Sequence, residues 1–223
     1  MKGSLVYIVI PNFNGIDHLK DCFESLMRQT YIDFKVLLVD NNSNDDSIDF
    51  TRRDFIDVEV IRLSSNTGFA KAVNTGIKRA LDDNSCKYVI LLNNDTECDR
   101  RFIEEMISAV SKEDTGSGAC KMLNFSQRSV IDDAGDFIKS KGSPYARGFG
   151  ETDNGQYDEP EYIFGACAGA AIYKSEVFEN AGFFDDDFFA YYEDIDFSFR
   201  LQLLGYKCYY NPKAVCYHKR GAT

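Results

Sequence analysis

Asp95 follows the apolar run Tyr88-Val89-Ile90-Leu91-Leu92 across only two asparagines, so one carboxylate stands at the mouth of what reads as a buried strand. Apolar residues without alternation fit a strand covered on both faces, as in the middle of a parallel sheet, and ligands bind beyond the carboxyl ends of such strands. An aspartate there can hold a divalent cation; it can equally cap the helix that follows. Far along the chain, Tyr192-Glu193-Asp194-Ile195-Asp196-Phe197 sets carboxylates among aromatics, where burial and like charge raise pKa values. One acid to hold a metal and another to accept a proton is an enzyme's arrangement. Residues two apart on a helix point in different directions, so Asp194 and Asp196 take separate duties. Asp196, four before Arg200, fits a structural helix pair.

What positions these acids is an alternation of strand and helix. Leu5 to Ile10 is an apolar strand stopped by Pro11, and Leu19, Cys22, Phe23 and Leu26 then recur at helical spacing. Val36 to Val39 is the next strand, ending in Asp40-Asn41-Asn42-Ser43. A weaker strand from Val58 to Leu63 leads through Asn66-Thr67-Gly68 into a helix carrying Ala70, Val73, Ile77 and Leu81 on one face. The strand to Leu92 and a helix with Phe102, Met106 and Val110 follow. Such alternation implies an α/β fold, a mostly parallel Rossmann-like sheet flanked by helices, with Asn12, Asp40, Asn66 and Asp95 facing one crevice. After Gly116 the chain turns glycine-rich, aromatic and acidic, with short strands such as Gly118 to Leu123. Ser140 to Glu161, rich in glycine and proline, reads as a long mobile loop over the site. Glu193 to Leu204 reads as a helix stopped by Gly205.

Composition narrows the ligand. With 223 residues, 44% of them hydrophobic, the chain can bury a full core and is expected to form a single domain over 1–223. A formal net charge of −11 argues against a nucleic-acid surface, which needs a basic stripe. An acidic protein that binds a phosphorylated ligand must supply local cations, and a divalent metal held by one or two carboxylates does so. The seven cysteines are scattered without a C-x-x-C pair, so neither a zinc site nor a disulfide framework is indicated. Reduced thiols and the lack of an apolar run of membrane-spanning length lead to an expected cytoplasmic location, which is compatible with peripheral association at a membrane face.

Taken together, Val9-Ile10-Pro11-Asn12-Phe13-Asn14-Gly15, Leu38-Val39-Asp40-Asn41-Asn42-Ser43, Asn66-Thr67-Gly68-Phe69-Ala70, Asn93-Asn94-Asp95, and Phe184-Asp185 with Tyr192-Glu193-Asp194-Ile195-Asp196 and Arg200 occur in that order. The series resembles the family 2 inverting glycosyltransferases of the GT-A fold and looks most like their rhamnosyltransferase-like branch. The resemblance implies a nucleoside diphosphate sugar donor, a UDP- or dTDP-sugar such as dTDP-L-rhamnose, bound by residues 1–115. Pro11, Asn12, Asn14, Asp40, Asn42, Asn66, Gly68, Asn94 and Asp95 would line that site. It implies Mn²⁺ or Mg²⁺ at the diphosphate, held by Asp95 with His218. Residues 116–223 would bind a saccharide or lipid-linked glycan acceptor through Tyr192, Glu193 and Asp185, with Asp194 as general base. Polysaccharide biosynthesis at the cell envelope is the implied setting. Asn93 stands where the family has the first acid of its Asp-x-Asp motif, which weakens the expected metal affinity.

Plainer readings stand beside these. Asp40 can cap a turn, Asn66 can be a helix N-cap, His218 can be a surface residue and Asp185 part of an acidic turn. A sugar-nucleotide pyrophosphorylase would need a glycine- and arginine-rich phosphate loop where this chain has Pro11-Asn12-Phe13-Asn14-Gly15. A nucleotide-sugar-binding module without turnover is the rival from another class.

Overall fold

The structure, a computed structural model, describes residues 4–220. Its first half returns each apolar strand to the same edge through a helix. β1 (Leu5–Asn12) leads through α1 (Ile16–Met27) to β2 (Phe34–Asp40), then α2 (Ser47–Asp54), β3 (Val58–Arg62), α3 (Gly68–Leu81) and β4 (Cys86–Leu92). β1 pairs in parallel with β2 on one side and β4 on the other, and β3 joins β2. Val6, Ile8 and Ile10 pack with Leu19, Cys22, Phe23 and Leu26 of α1, whereas Tyr7 and Val9 pack with Ala70, Val73 and Ile77 of α3. Cover on both faces is why β1 and β4 show no polar alternation. Burial of each such aliphatic side chain stabilises the fold by about 1.5–3 kcal/mol. Pro11 does not stop β1: it lies opposite Val39 and the strand runs on to Asn12, opposite Asp40.

The second half extends the same sheet. β5 (Thr96–Cys98), α4 (Phe102–Ala109) and β6 (Thr115–Asn124) are followed by the short strands β7 (Ile131–Asp133), β8 (Asp136–Ile138), β9 (Pro144–Ala146) and β10 (Glu161–Ile163). Then come β11 (Ala170–Lys174), α5 (Glu176–Ala181), α6 (Glu193–Leu203) and β12 (Lys207–His218). The sheet order is β10-β12-β6-β11-β4-β1-β2-β3, with β11 antiparallel to both neighbours and β12 parallel to β6. This antiparallel step sets the start of β11 beside Leu92. The pairing of β12 with β5 sets His218 opposite Thr96. Residues from the second half therefore reach the mouth of β4. No helix among the described residues is long and apolar enough to cross a membrane.

The segment from Ser140 to Glu161, expected as a free loop, is fastened to the body of the domain by hydrogen bonds and a buried ion pair. Its start forms a hairpin of β8 with β9. Farther along, Lys121 of β6, only 4% exposed, donates to Asp153 at 3.0 Å and to Asp158. Ile131 N–H donates to Glu151 O and Asp153 N–H to Ser129 O. The ammonium needs carboxylate partners once buried, and this requirement ties the segment down.

Candidate active site

Adjacent strand ends are wired together by side-chain amides. Asn12 Nδ2 donates to Asp40 Oδ1 at 3.0 Å and to Ser43 Oγ at 3.2 Å, while its Oδ1 accepts from Asn94 Nδ2 at 2.7 Å. Asn94, Asn12 and Asp40 thus span β4, β1 and β2 in one buried chain. A Cβ at Gly15 would fall 2.1 Å from Asn94 Nδ2 and 2.4 Å from Asn12 Oδ1, so only glycine lets α1 start this close. Asp40 is fully buried; its Oδ2 accepts from Ser43 N–H at 2.9 Å. The turn-holding role is what this geometry shows directly, although each oxygen keeps lone-pair capacity for a further donor. Asn14 and Asn42 take left-handed backbone at φ 51° and 66°, which asparagine tolerates. Asn14 also holds the turn, its N–H donating to Ser43 Oγ and its Oδ1 accepting from Asn44 N–H.

The Asn66-Thr67-Gly68 turn differs from expectation. Asn66 is exposed and accepts from Gly68 N–H at 3.0 Å, an Asx turn and not a helix cap. Phe69 N–H donates to Phe189 O at 2.6 Å, and a Cβ at Gly68 would lie 2.3 Å from that carbonyl. Two amides at the start of α3 are therefore taken by protein groups. Gly68, at φ 83°, is required by this close approach of the 185–192 segment.

At the mouth of β4, Asp95 is 2% exposed and His218 Nε2 lies 3.2 Å from its Oδ1. The approach has ion-pair distance but not hydrogen-bond alignment, which leaves Asp95 Oδ1 without a donor. His218 Nδ1 is 2.8 Å from Asp132 Oδ2, and Arg220 Nε is 2.8 Å from Asp132 Oδ1. Burial opposes charge on the ring, yet Asp132 and Asp95 outweigh it and lift the His218 pKa to about 9. The surface reading of His218 is thereby set aside. A buried carboxylate oxygen without a donor beside an imidazole nitrogen suits a divalent cation. Among the described residues no three acids, histidines or cysteines are placed to hold one metal ion together. Two protein ligands with the remainder from substrate phosphate is the arrangement this chain can offer.

Asp194 reaches the same place from α6. Its Oδ2 accepts from Ala168 N–H at 3.1 Å, and the adjacent Gly169 carbonyl accepts from Asn93 N–H at 2.8 Å. One short stretch of backbone thus joins Asp194 to the end of β4. Asp194 keeps a partly accessible surface, but burial dominates its backbone hydrogen bonds and raises its pKa. Glu193 beside it is 5% exposed, its Oε2 has no partner, and burial with the Asp194 charge pushes its pKa to about 7. Only five buried side-chain polar atoms among the described residues lack a hydrogen-bond partner, and Asp95 and Glu193 supply two of them. Buried polar groups without a protein partner are costly, and both of these oxygens belong to carboxylates at the crevice.

Other expected contacts are placed less directly. Tyr192 precedes α6 and is 61% exposed; with Tyr191 it takes left-handed backbone, at φ 70° and 73°. Strain of this kind in two successive tyrosines is held only where surrounding structure enforces it. Asp185 is exposed and accepts from Asp187 N–H at 2.9 Å, the acidic turn of the plainer reading. Asp196 and Arg200 form the anticipated pair at 2.8 Å, with Arg200 also donating to Ala181 O.

The sequence reading missed Asp132, Asp133 and Asp136, all buried. Burial, with the charges of Asp132 and Asp194, raises the Asp133 pKa to about 7; burial, with Asp133 and Asp194, raises Asp136 to about 9. The signal was an acidic run flanked by Ile131 and Ala134, which resembles a solvated turn until β6 covers it.

These shifts set a pH dependence. Asp133, Asp136, Glu193 and His218 all bind protons more tightly folded than unfolded, so their contribution is present at low pH and is lost as pH rises through about 7 to 9. Thermal melts from pH 5 to 9 should show a falling midpoint, and a loss of even about 1 kcal/mol lowers it by about 2–4 °C. Asp133→Asn should flatten the slope. A midpoint that rises over that range would contradict the assignment.

The sequence profile of Glycosyl transferase family 2 matches residues 7–182. Among curated proteins, the chain is 26% identical over 227 residues to the O-antigen biosynthesis protein RfbC of Myxococcus xanthus, covering 98% of this chain and 17% of RfbC. It is 26% identical over 217 residues to the amylovoran biosynthesis glycosyltransferase AmsB of Erwinia amylovora, 93% of this chain and 67% of AmsB. The chain spans only part of the length of such relatives. GalNAc-T7, solved with UDP, GalNAc and Mn²⁺, superposes with a TM-score of 0.79 at 16% identity, over 97% of this chain and 44% of that one. The mannosyltransferase PcManGT of Pyrobaculum calidifontis, solved with GDP-Man and Mn²⁺, gives 0.71 at 17% identity over 97% and 58%. At these identities the likeness is one of fold. The profile runs from β1 through α5 and takes in every strand-end motif of the crevice, and on that ground this GT-A chain belongs to glycosyl transferase family 2.

Proposed function

We propose that the chain transfers a sugar from a pyrimidine nucleoside diphosphate donor to a hydroxyl of a saccharide or lipid-linked acceptor, with inversion at the anomeric carbon. The observation that carries this reading is the donorless Asp95 Oδ1 beside His218 at the mouth of β4, one backbone link from Asp194. Asp194 accepts the proton of the acceptor hydroxyl as that oxygen attacks the anomeric carbon and the bond to the diphosphate breaks. Its raised pKa brings its basicity nearer to neutrality, where a general base works best. Asp95 and His218 would hold a divalent cation, which when bound would supply electrostatic stabilisation for the charge that develops on the diphosphate. The mixed oxygen and nitrogen donors, and Mn²⁺ in both neighbours described above, favour Mn²⁺ over Mg²⁺. Asn12, Asn94 and Asp40 keep the strand ends rigid under the donor, and Glu193 with Tyr192 faces the acceptor. The names of RfbC and AmsB, an O-antigen and an amylovoran biosynthesis protein, support a role in polysaccharide biosynthesis.

The test is a thermal melt with UDP, dTDP or GDP, each with Mn²⁺ or with a chelator. A ligand at a hundredfold excess over its Kd stabilises by about 2.7 kcal/mol. UDP or dTDP should raise the midpoint with Mn²⁺ and lose most of that effect in chelator. Equal shifts with and without metal, or a larger shift with GDP, would overturn the metal or the pyrimidine assignment respectively.

A further inference from the structure

On the reading that Asp95 and His218 hold a divalent cation, the geometry points to Asp132 as the residue that positions His218 for it. Asp132 lies in β7, is 3% exposed, and has both carboxylate oxygens engaged: Oδ2 at 2.8 Å from His218 Nδ1 and Oδ1 at 2.8 Å from Arg220 Nε. The guanidinium fixes the carboxylate and the carboxylate fixes the ring. The ring in turn directs Nε2 toward Asp95, 3.2 Å away. A carboxylate can only accept, so it holds an imidazole proton on Nδ1, and the proton a cation would displace is the one on Nε2, whose lone pair then faces the metal. It also makes the ring a stronger donor.

A purely structural tie is the rival, and the fold does not need one. β7 already pairs with β6, and β6 with β12 along most of its length as far as His218. Phe125 N–H donates to His218 O besides. The side-chain pair adds orientation where the backbone has already provided attachment.

The experiment measures Mn²⁺ affinity of the whole chain by electron paramagnetic resonance in the presence of UDP, and, without metal and at a pH above the titration of His218, the tautomer of its neutral ring by ¹⁵N NMR. Asp132→Ala should weaken Mn²⁺ binding by about 10- to 100-fold and mix the tautomers. Asp132→Asn, near in shape and still offering an oxygen to Nδ1, should lose less and keeps the test open if the alanine variant does not fold. Arg220→Ala should give a smaller loss in the same direction. The inference is overturned if folded Asp132→Asn and Arg220→Ala both keep Mn²⁺ affinity within about twofold and an unmixed tautomer. His218→Ala separates the two readings: loss there alone removes only the role of Asp132. Absence of Mn²⁺ binding by the unsubstituted chain removes the metal reading as well.

Discussion

Asp194→Asn is expected to lower sugar transfer by about 10²- to 10⁴-fold while donor binding stays nearly unchanged. The substitution keeps the shape of the side chain and removes its capacity to accept a proton. It is not silent structurally. Both oxygens of Asp194 accept backbone N–H groups, from Ala168 and from Ile195, and an amide nitrogen must now face one of them. Leaving one backbone N–H unpaired costs about 1–3 kcal/mol, which a melt would register and which is less than the stability of an ordinary domain. A fall in kcat at unchanged donor affinity therefore reports chemistry. Direct attack also fixes stereochemistry: an α-linked donor gives a β-linked product, and a β-linked donor such as dTDP-L-rhamnose gives an α-linked one. Product NMR reads this independently of rate. Retention, or near-normal transfer by the variant, would take Asp194 out of the base role.

How much of this was legible depended on where each element found its partners. β1, β2 and β4 announce themselves because cover on both faces leaves uninterrupted apolar runs, and α1 and α3 because one face of each meets that sheet. α2 escaped notice because it buries only Ser47, Ile48 and Thr51, too little for an apolar stripe in an otherwise polar segment. β8, β9 and β10 are three-residue strands whose pairing is decided by distant chain, so nothing local marks them. The antiparallel setting of β11 is likewise a tertiary choice, and it is what brings Ala168 and Asp194 to the mouth of β4. Within the site, Asp95 and Asp194 were legible from an apolar run ending in acid and from acids among aromatics. Asp132 was not, because its partners His218 and Arg220 lie more than eighty residues away in sequence. The roles given to Asn66 and Gly68 came from the resemblance, and no local signal marks the approach of Phe189, whose carbonyl takes the Phe69 N–H at the start of α3.

Asp95→Asn should abolish the Mn²⁺ dependence of nucleotide binding and cost transfer about 10²- to 10³-fold, the usual scale for loss of one group that stabilises developing charge. Its effect on stability should be small, and that contrast is the informative part. Asp95 is a buried carboxylate whose Oδ1 meets no well-aligned donor among the described residues, and a neutral amide lowers the cost of burying charge there. Against this stands the ion pair with His218 at 3.2 Å, but the ring keeps its second carboxylate in Asp132 at 2.8 Å, so it is not left as an uncompensated charge. Breaking a buried pair outright costs about 3–5 kcal/mol. Here the two effects oppose each other, and the melting midpoint in chelator should stay close to that of the unsubstituted chain. Adding Mn²⁺ with UDP should then stabilise the unsubstituted chain and leave the variant where it was. A variant that melts far lower in chelator would make Asp95 a structural anchor of the His218 pair. One that keeps its Mn²⁺ response would move the metal away from the mouth of β4.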